Sequence, residues 1–384
     1  MLRFMTAGES HGQALVVIVE GLPSGLPITI EQIGAELARR RLGYGRGPRM
    51  RIEQDDAEIL GGVRHGRTLG SPVSIIIRNT EWPKWQDEMS AAPGATASPL
   101  HRPRPGHADL AGMQKYGLDD ARDVLERASA RETAARVAAG ALAKALLSHL
   151  GVSVLSHVVQ LGSATASPEL VPGPDDLEAI DASEVRCLDE VAGKAMIEEI
   201  KAAAKAGDSL GGVAEVLATG VPPGLGSHVH WDRRIDALLA QALMSIQAVK
   251  AVAIGEGFDM AGRRGSEAHD EILWDDRRSV YLRGSARAGG IEGGMTTGDL
   301  VTARVAMKPL ATLNRPVLRT VDVVTKEETV SFKERTDVTA VPALGVVAET
   351  MTALVLSSEA LRKFGGDSMA ELERNHRGFL ASLS

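Results

Sequence analysis

Cysteine is all but missing from this chain: Cys187 is the only one among 384 residues. A single thiol forms no intramolecular disulfide and supplies no cysteine-rich metal site. Aromatic residues reach only 3%, so Ala, Val, Leu and Ile must fill the interior. A base-stacking platform for single-stranded nucleic acid is thereby excluded. The formal net charge of −7 also argues against a general binder of nucleic acid. Long hydrophobic runs are missing as well. The opening residues carry Arg3, Glu9 and His11, so no secretory leader is expected. The most apolar stretch, 338–356, is interrupted by Pro342, Gly345 and Glu349 and is not expected to cross a membrane. Together these absences predict a cytoplasmic protein without nucleic-acid or membrane partners. The common phosphate-binding signatures are lacking too: Gly193-Lys194 is followed by Ala195, which rules out a P-loop, and no dinucleotide fingerprint opens a βαβ unit.

Two histidines set in glycine- and proline-rich runs stand out, Gly8-Glu9-Ser10-His11-Gly12 and Arg102-Pro103-Arg104-Pro105-Gly106-His107-Ala108-Asp109. Glycine and proline there impose loops of specified shape, and imidazole exchanges protons near neutrality. Arginine is concentrated in the first third, at Arg39, Arg40, Arg41, Arg46, Arg49 and Arg51 and again at Arg102, Arg104, Arg122, Arg127, Arg131 and Arg136. The guanidinium fork matches carboxylate and phosphate, so an acidic chain built this way predicts a small, multiply anionic ligand. His101, His107 and Asp109 have poor spacing for a metal and cationic neighbours, and no metal is expected. From the residues alone three readings stay open: acid–base catalysis on an anionic substrate, metal-free phosphoryl transfer or phosphodiester cleavage by the two histidines, and a non-catalytic anion-binding module.

Strands are predicted at 15–19, 73–77, 214–218 and 299–307, and helices at 31–42, 129–150, 197–206, 232–249 (with Asp232 as its cap) and 343–356. Residues 79–109 read as one long loop, the kind that usually carries function. A repeat runs through this order. Segment 17–26 resembles 216–225, segment 66–73 resembles 294–301, and Arg127 before one long helix matches Arg335 before another. The predicted architecture is therefore one integrated α+β body of two related halves, with the ligand site drawing on both.

These runs, together with Arg127-Ala128-Ser129-Ala130-Arg131-Glu132-Thr133 and Arg335-Thr336-Asp337 followed by Ala340-Val341-Pro342-Ala343, resemble the chorismate synthase family along essentially the whole chain. The resemblance implies a β-α-β sandwich with internal pseudo-symmetry, a single domain over 1–384. Its halves would lie at about 1–150 and 210–384, joined by 151–209. It also implies a homotetramer and a carbon–oxygen lyase acting on a phosphate ester. The family reaction is the 1,4-anti elimination of phosphate from 5-enolpyruvylshikimate 3-phosphate to give chorismate, dependent on reduced FMN. By resemblance His107 assists phosphate departure, His11 protonates the reduced flavin, and Asp337 assists deprotonation at flavin N5. Arg40, Arg46, Arg49, Arg104 and Arg131 match substrate-side arginines. Arg127, Ala128, Ser129, Gln247, Ala248, Gly293, Lys308, Pro309, Leu310, Ala311, Thr312 and Arg335 match flavin contacts, Ala311 departing from a more hydroxyl-rich run. No reductase domain is visible, so an external flavin reductase or reduced flavin supply is expected. NADP(H) would enter only as the source of the electrons.

Overall fold

The computed structural model describes residues 2–47, 53–94, 96, 98–277, 279–332 and 336–383. Two antiparallel sheets enclose a layer of helices. The first sheet runs in the order Arg3–Ala7, Ala14–Glu20, Val73–Arg78, Ala57–Gly61. The second runs Ser153–Leu161, Gly212–Thr219, Val301–Met307, Val249–Ile254, with the two-residue strand Ala164–Thr165 at its outer edge. Period-2 alternation sets the inner face of each. Leu15, Val17 and Val19 point inward beside Val73, Ile75 and Ile77, and Val301, Ala303 and Val305 do the same in the second sheet.

Between the sheets lie Ile30–Arg41, Thr133–His149, Ile235–Met244 and Val341–Phe364. The two long helices cross closely because the side chains at the crossing are small. A Cβ placed on Gly140 would lie 2.1 Å from the Thr350 Cβ, so only glycine permits this approach. Glu349, fully buried in the middle of the second long helix, ties the layer together. It accepts from Arg39 at 2.7 and 2.9 Å, Lys144 at 3.0 Å, Arg186 at 3.0 Å and the Ser156 hydroxyl at 2.7 Å. Burial pushes its carboxyl upward, but Lys144, Arg39 and Arg186 outweigh this and hold it well below the usual range.

The segments matched in sequence share one hydrogen-bond pattern. The Thr68 hydroxyl donates to the Pro23 carbonyl at 2.6 Å and accepts from the Leu26 N–H at 2.9 Å. The Thr296 hydroxyl donates to Pro222 at 2.7 Å and accepts from Leu225 at 2.9 Å. Each threonine sits in a two-stranded hairpin, at 63–68 and 291–296, that leads into a sheet strand.

Several elements differ from expectation. The helix expected over 129–150 begins later, because Ser129 is extended (φ −62°, ψ 142°). Arg122–Ala128 ends there, Ala130–Glu132 forms a short 3-10 turn, and the long helix starts at Thr133. The helix expected over 232–249 spans only Ile235–Met244. Asp232 pairs with His230 instead of capping it, and Val249 opens a sheet strand. Helix 197–206 begins earlier, at Glu190, where Asp189 caps it. Pro342, Gly345 and Glu349 do not interrupt Val341–Phe364, since a proline in the first turn gives up no intrahelical bond. That helix is long and apolar enough to span a bilayer, but 89% of its apolar window is buried within the protein. Segment 151–209, read as a joint, supplies the second-sheet strand Ser153–Leu161 as well as the helices Leu177–Ala182 and Glu190–Ala206.

The paired threonines generate a test. Thr68→Val and Thr296→Val each strand a buried carbonyl and a buried N–H. Urea unfolding is expected to show near-equal losses of about 1–3 kcal/mol each, additive in the double variant because the two threonines share no hydrogen-bond partner.

Candidate active site

A cavity of about 550 Å³ is walled by residues of both sheets' halves. The first loop reaches it from the connection between Arg3–Ala7 and Ala14–Glu20. Although Gly8-Glu9-Ser10-His11-Gly12 has the glycine-x-serine-x-glycine spacing of a nucleophile elbow, it joins two strands rather than a strand and a helix. Gly8 takes φ +96°, and a Cβ there would meet the Ala14 carbonyl oxygen at 2.2 Å. Asn79 fixes the loop by donating to the carbonyls of Glu9 and Gly12 at 3.1 and 2.7 Å.

His11 is buried at the end of this loop. Its Nδ1 lies 2.9 and 3.1 Å from the two Glu126 oxygens, and its backbone N–H donates to Glu126 Oε2 at 2.8 Å. Trp85 stacks on the ring with centroids 4.0 Å apart and planes 25° apart. Burial raises the Glu126 carboxyl, but the hydrogen bonds and charge of His11, with Arg122, win and hold it below the usual carboxylate range.

The second loop, 102–109, runs into the helix Asp109–Tyr116. The fully buried Asp109 accepts from Arg104 Nε at 2.9 Å and from the Arg104 N–H at 3.0 Å, and it binds His107 Nδ1. Burial pushes the Asp109 carboxyl up, yet the bonds from His107 and Arg104 hold it far below its ordinary range. Arg104 also donates to the Thr312 hydroxyl at 3.0 Å, and Lys308 Nζ reaches the Gly106 carbonyl. Loop 102–109 is thus moored to residues more than two hundred positions away.

Carboxylates also stand behind the other arginines. Asp55, itself at φ +55°, bridges Arg40 at 2.8 Å and Arg131. Burial raises Asp55, and Arg40 and Arg131 more than reverse it. Burial lowers Arg40, whose Nε is buried without a hydrogen-bond partner among the described residues. Asp337 lies 2.9 Å from Arg46 Nε and accepts from the Gly47 N–H at 2.6 Å. The wall alternates these charges with apolar surface from Leu125, Ile246, Leu310, Leu344 and Val347.

The cavity therefore brings together His11, His107, Asp337, Arg40, Arg46, Arg104, Arg131, Ala128, Ser129, Gln247, Ala248, Lys308, Leu310, Ala311 and Thr312. Arg127 does not line it. Its guanidinium donates to the carbonyls of Gly8 and Thr6 at 3.0 and 2.9 Å, bracing the first loop. It borders an adjoining cavity of about 430 Å³ that shares Gln247. Gly293 sits in the turn of the 291–296 hairpin, off the wall, and Pro309 is off the wall between two lining residues. Arg49 and Arg335 lie outside the described residues. Asp55, Glu126 and Trp85 were not legible as site residues. Asp109 was, since it follows His107 by two positions, but only as a discarded metal ligand.

Comparison with known proteins agrees along the full length. The family profile described as chorismate synthase matches residues 2–361. Chorismate synthases of Leifsonia xyli, Streptomyces coelicolor and Thermobifida fusca are 57%, 59% and 58% identical, each over 100% of this chain and 97–99% of the relative. A chorismate synthase crystal structure at 41% identity superposes with a TM-score of 0.79, covering 100% of this chain and 98% of the other.

The ion pairs behind the cavity set a pH signature. Asp109 is held below its unfolded value, so its contribution is present above the ordinary carboxylate range and is lost as pH falls through and below it. Asp109→Asn leaves Arg104 buried without its charge partner and is expected to cost about 3 kcal/mol at pH 7. In urea melts the gap from the parent chain should narrow progressively below pH 4; a gap independent of pH contradicts the assignment.

Proposed function

The chain belongs to the chorismate synthase family, a family of lyases, and from that premise we propose that it converts 5-enolpyruvylshikimate 3-phosphate to chorismate by 1,4-anti elimination of phosphate, with reduced FMN bound in the same cavity. One observation carries this reading. A single cavity collects Arg40, Arg46, Arg104, Arg131, His11, His107 and Asp337, which is the equipment for a ligand bearing two carboxylates and a phosphate.

The cavity also suits the flavin. Apolar wall from Leu125, Ile246, Leu310 and Leu344 gives a planar ring system a dry face. The buried Gln247 Oε1, which has no hydrogen-bond partner among the described residues, offers an acceptor to a ring N–H. Ser129, Lys308 and Thr312 supply donors for the phosphate, although Ala311 lends none. When bound, reduced FMN supplies the electron density that helps phosphate leave and the acceptor for the hydrogen removed.

The chain's own residues divide the remaining work. Arg40 and Arg131, locked in place by Asp55, and Arg104, locked by Asp109, are pre-paid donors to the substrate's anionic groups. Asp109 occupies His107 Nδ1, so Nε2 is the nitrogen that hands a proton to the departing phosphate oxygen. His11 keeps a second proton on the opposite flank. Asp337 is the carboxylate that receives one, once Arg46 turns to the substrate. Ala128, Ser129, Gln247 and Ala248 shape the floor beneath the ligands. Arg127 acts from behind by bracing the His11 loop.

The shared threonine pattern and strand order support internal pseudo-symmetry, with both halves in one domain and 151–209 contributing the strand Ser153–Leu161 and the extra helices. We take the working assembly to be a homotetramer and the electrons to come from an external flavin reductase.

Anaerobic assay of phosphate release with chemically reduced FMN and enolpyruvylshikimate phosphate tests the reading. Turnover is expected with the parent chain, and His107→Ala should lower kcat about 10²–10⁴-fold while substrate still binds. No turnover in the parent chain would sink the assignment. Turnover without any flavin would return the advantage to a two-histidine phosphoryl-transfer enzyme.

A further inference from the structure

Glu126 belongs to no role assigned so far, yet one carboxylate contacts His11 three times, twice at Nδ1 and once at the backbone N–H. A carboxylate only accepts hydrogen bonds. Facing both oxygens, Nδ1 must therefore carry a proton. The backbone contact sets the main chain of the same residue, so one group fixes both the peptide and the ring. Trp85 closes the ring's face. Arg122 lies 5.0 Å over the Trp85 ring, and its guanidinium donates to Glu126 Oε1 at 3.2 Å. Glu88 in turn lies 3.4 Å from Arg122. The five side chains come from two loops and one helix, and Arg122 and Glu126 meet as an i,i+4 pair on that helix.

We propose that Glu126 is the positioning residue of His11: it holds the proton on Nδ1, and with Trp85 it fixes the ring so that Nε2 is the only nitrogen His11 presents to the cavity. Left to itself a neutral imidazole favours the opposite tautomer, with the proton on Nε2. The reversal has a use. In the neutral ring Nε2 is an acceptor toward the cavity, and in the protonated ring the same atom is the donor. One atom in one place then both gives and recovers a proton, without a ring flip in each cycle. The catalytic consequence rests on the function proposed above; the tautomer does not.

Nitrogen-15 NMR of the histidine-labelled free chain, with His11 assigned by a His11→Gln variant, tests the geometry. At alkaline pH, where the ring is neutral, the parent chain should show a protonated Nδ1 and a bare Nε2. Glu126→Gln cannot accept through both side-chain atoms, so it should give a mixed or reversed tautomer, whereas Trp85→Phe should keep Nδ1–H. In the anaerobic assay Glu126→Gln should lower kcat about tenfold or more with KM little changed. A parent chain whose neutral His11 carries its proton on Nε2 overturns the proposal, as does Glu126→Gln with unaltered tautomer and kcat. If the parent chain shows no turnover, the functional reading fails alone, and the tautomer still decides this one.

Discussion

The buried carboxylate of Glu349 is the fixed point on which the rest of the layout depends. It draws Arg39 from one helix, Lys144 from a second and Ser156 and Arg186 from the second-sheet side, while sitting on a third helix. A buried carboxylate is costly without such partners, so its helix can take only one register against theirs. The consequence reaches the cavity directly. Arg40 follows Arg39 on the same helix, and Val347 precedes Glu349 by half a turn; both line the cavity. A slip at Glu349 would displace a cavity-facing cation and an apolar wall together.

Charge in the site follows a common plan. Among the described residues, each arginine on the cavity wall is paired with an acidic residue: Asp55 for Arg40 and Arg131, Asp109 for Arg104, and Asp337, itself on the wall, for Arg46. The pairing explains how an acidic protein keeps several cations beside one another. It also removes the freedom that long side chains would otherwise lose on meeting a ligand. Both histidines obey the same plan, with Asp109 and Glu126 on their Nδ1 atoms.

Much of this was legible in the residues. The loops around His11 and His107 are announced by glycine and proline, whose backbone demands are local. The repeat showed because turn residues such as Pro23, Gly25 and Thr68 have counterparts in the same order at Pro222, Gly224 and Thr296, and the same bonds result. Less visible was whatever depends on partners distant in sequence. Glu126 lies 115 positions from His11, and nothing near either residue signals the other. Local propensity also misled at Ser129 and at 232–249. Alanine- and leucine-rich sequence favours helix, but an extended Ser129 delays the first helix to Thr133 and the second ends at Met244, before the left-handed Ala248 (φ +66°) and the strand at Val249.

The ion pair between Arg39 and Glu349 spans 310 positions, and this bears on how the chain is made. While the polypeptide emerges from the ribosome, the first sheet and its helices exist long before the helix that completes their burial. Until residues 341–364 arrive, the inner side of Thr133–His149, lined by small apolar side chains, faces water, and Arg39 has only Glu36 and Asp181 to answer it. Contacts of such sequence separation close slowly, and partly assembled layers are prone to associate wrongly. Truncation that removes Val341–Phe364 therefore takes away the keystone of the first half as well as the last, and folding of both waits on that helix.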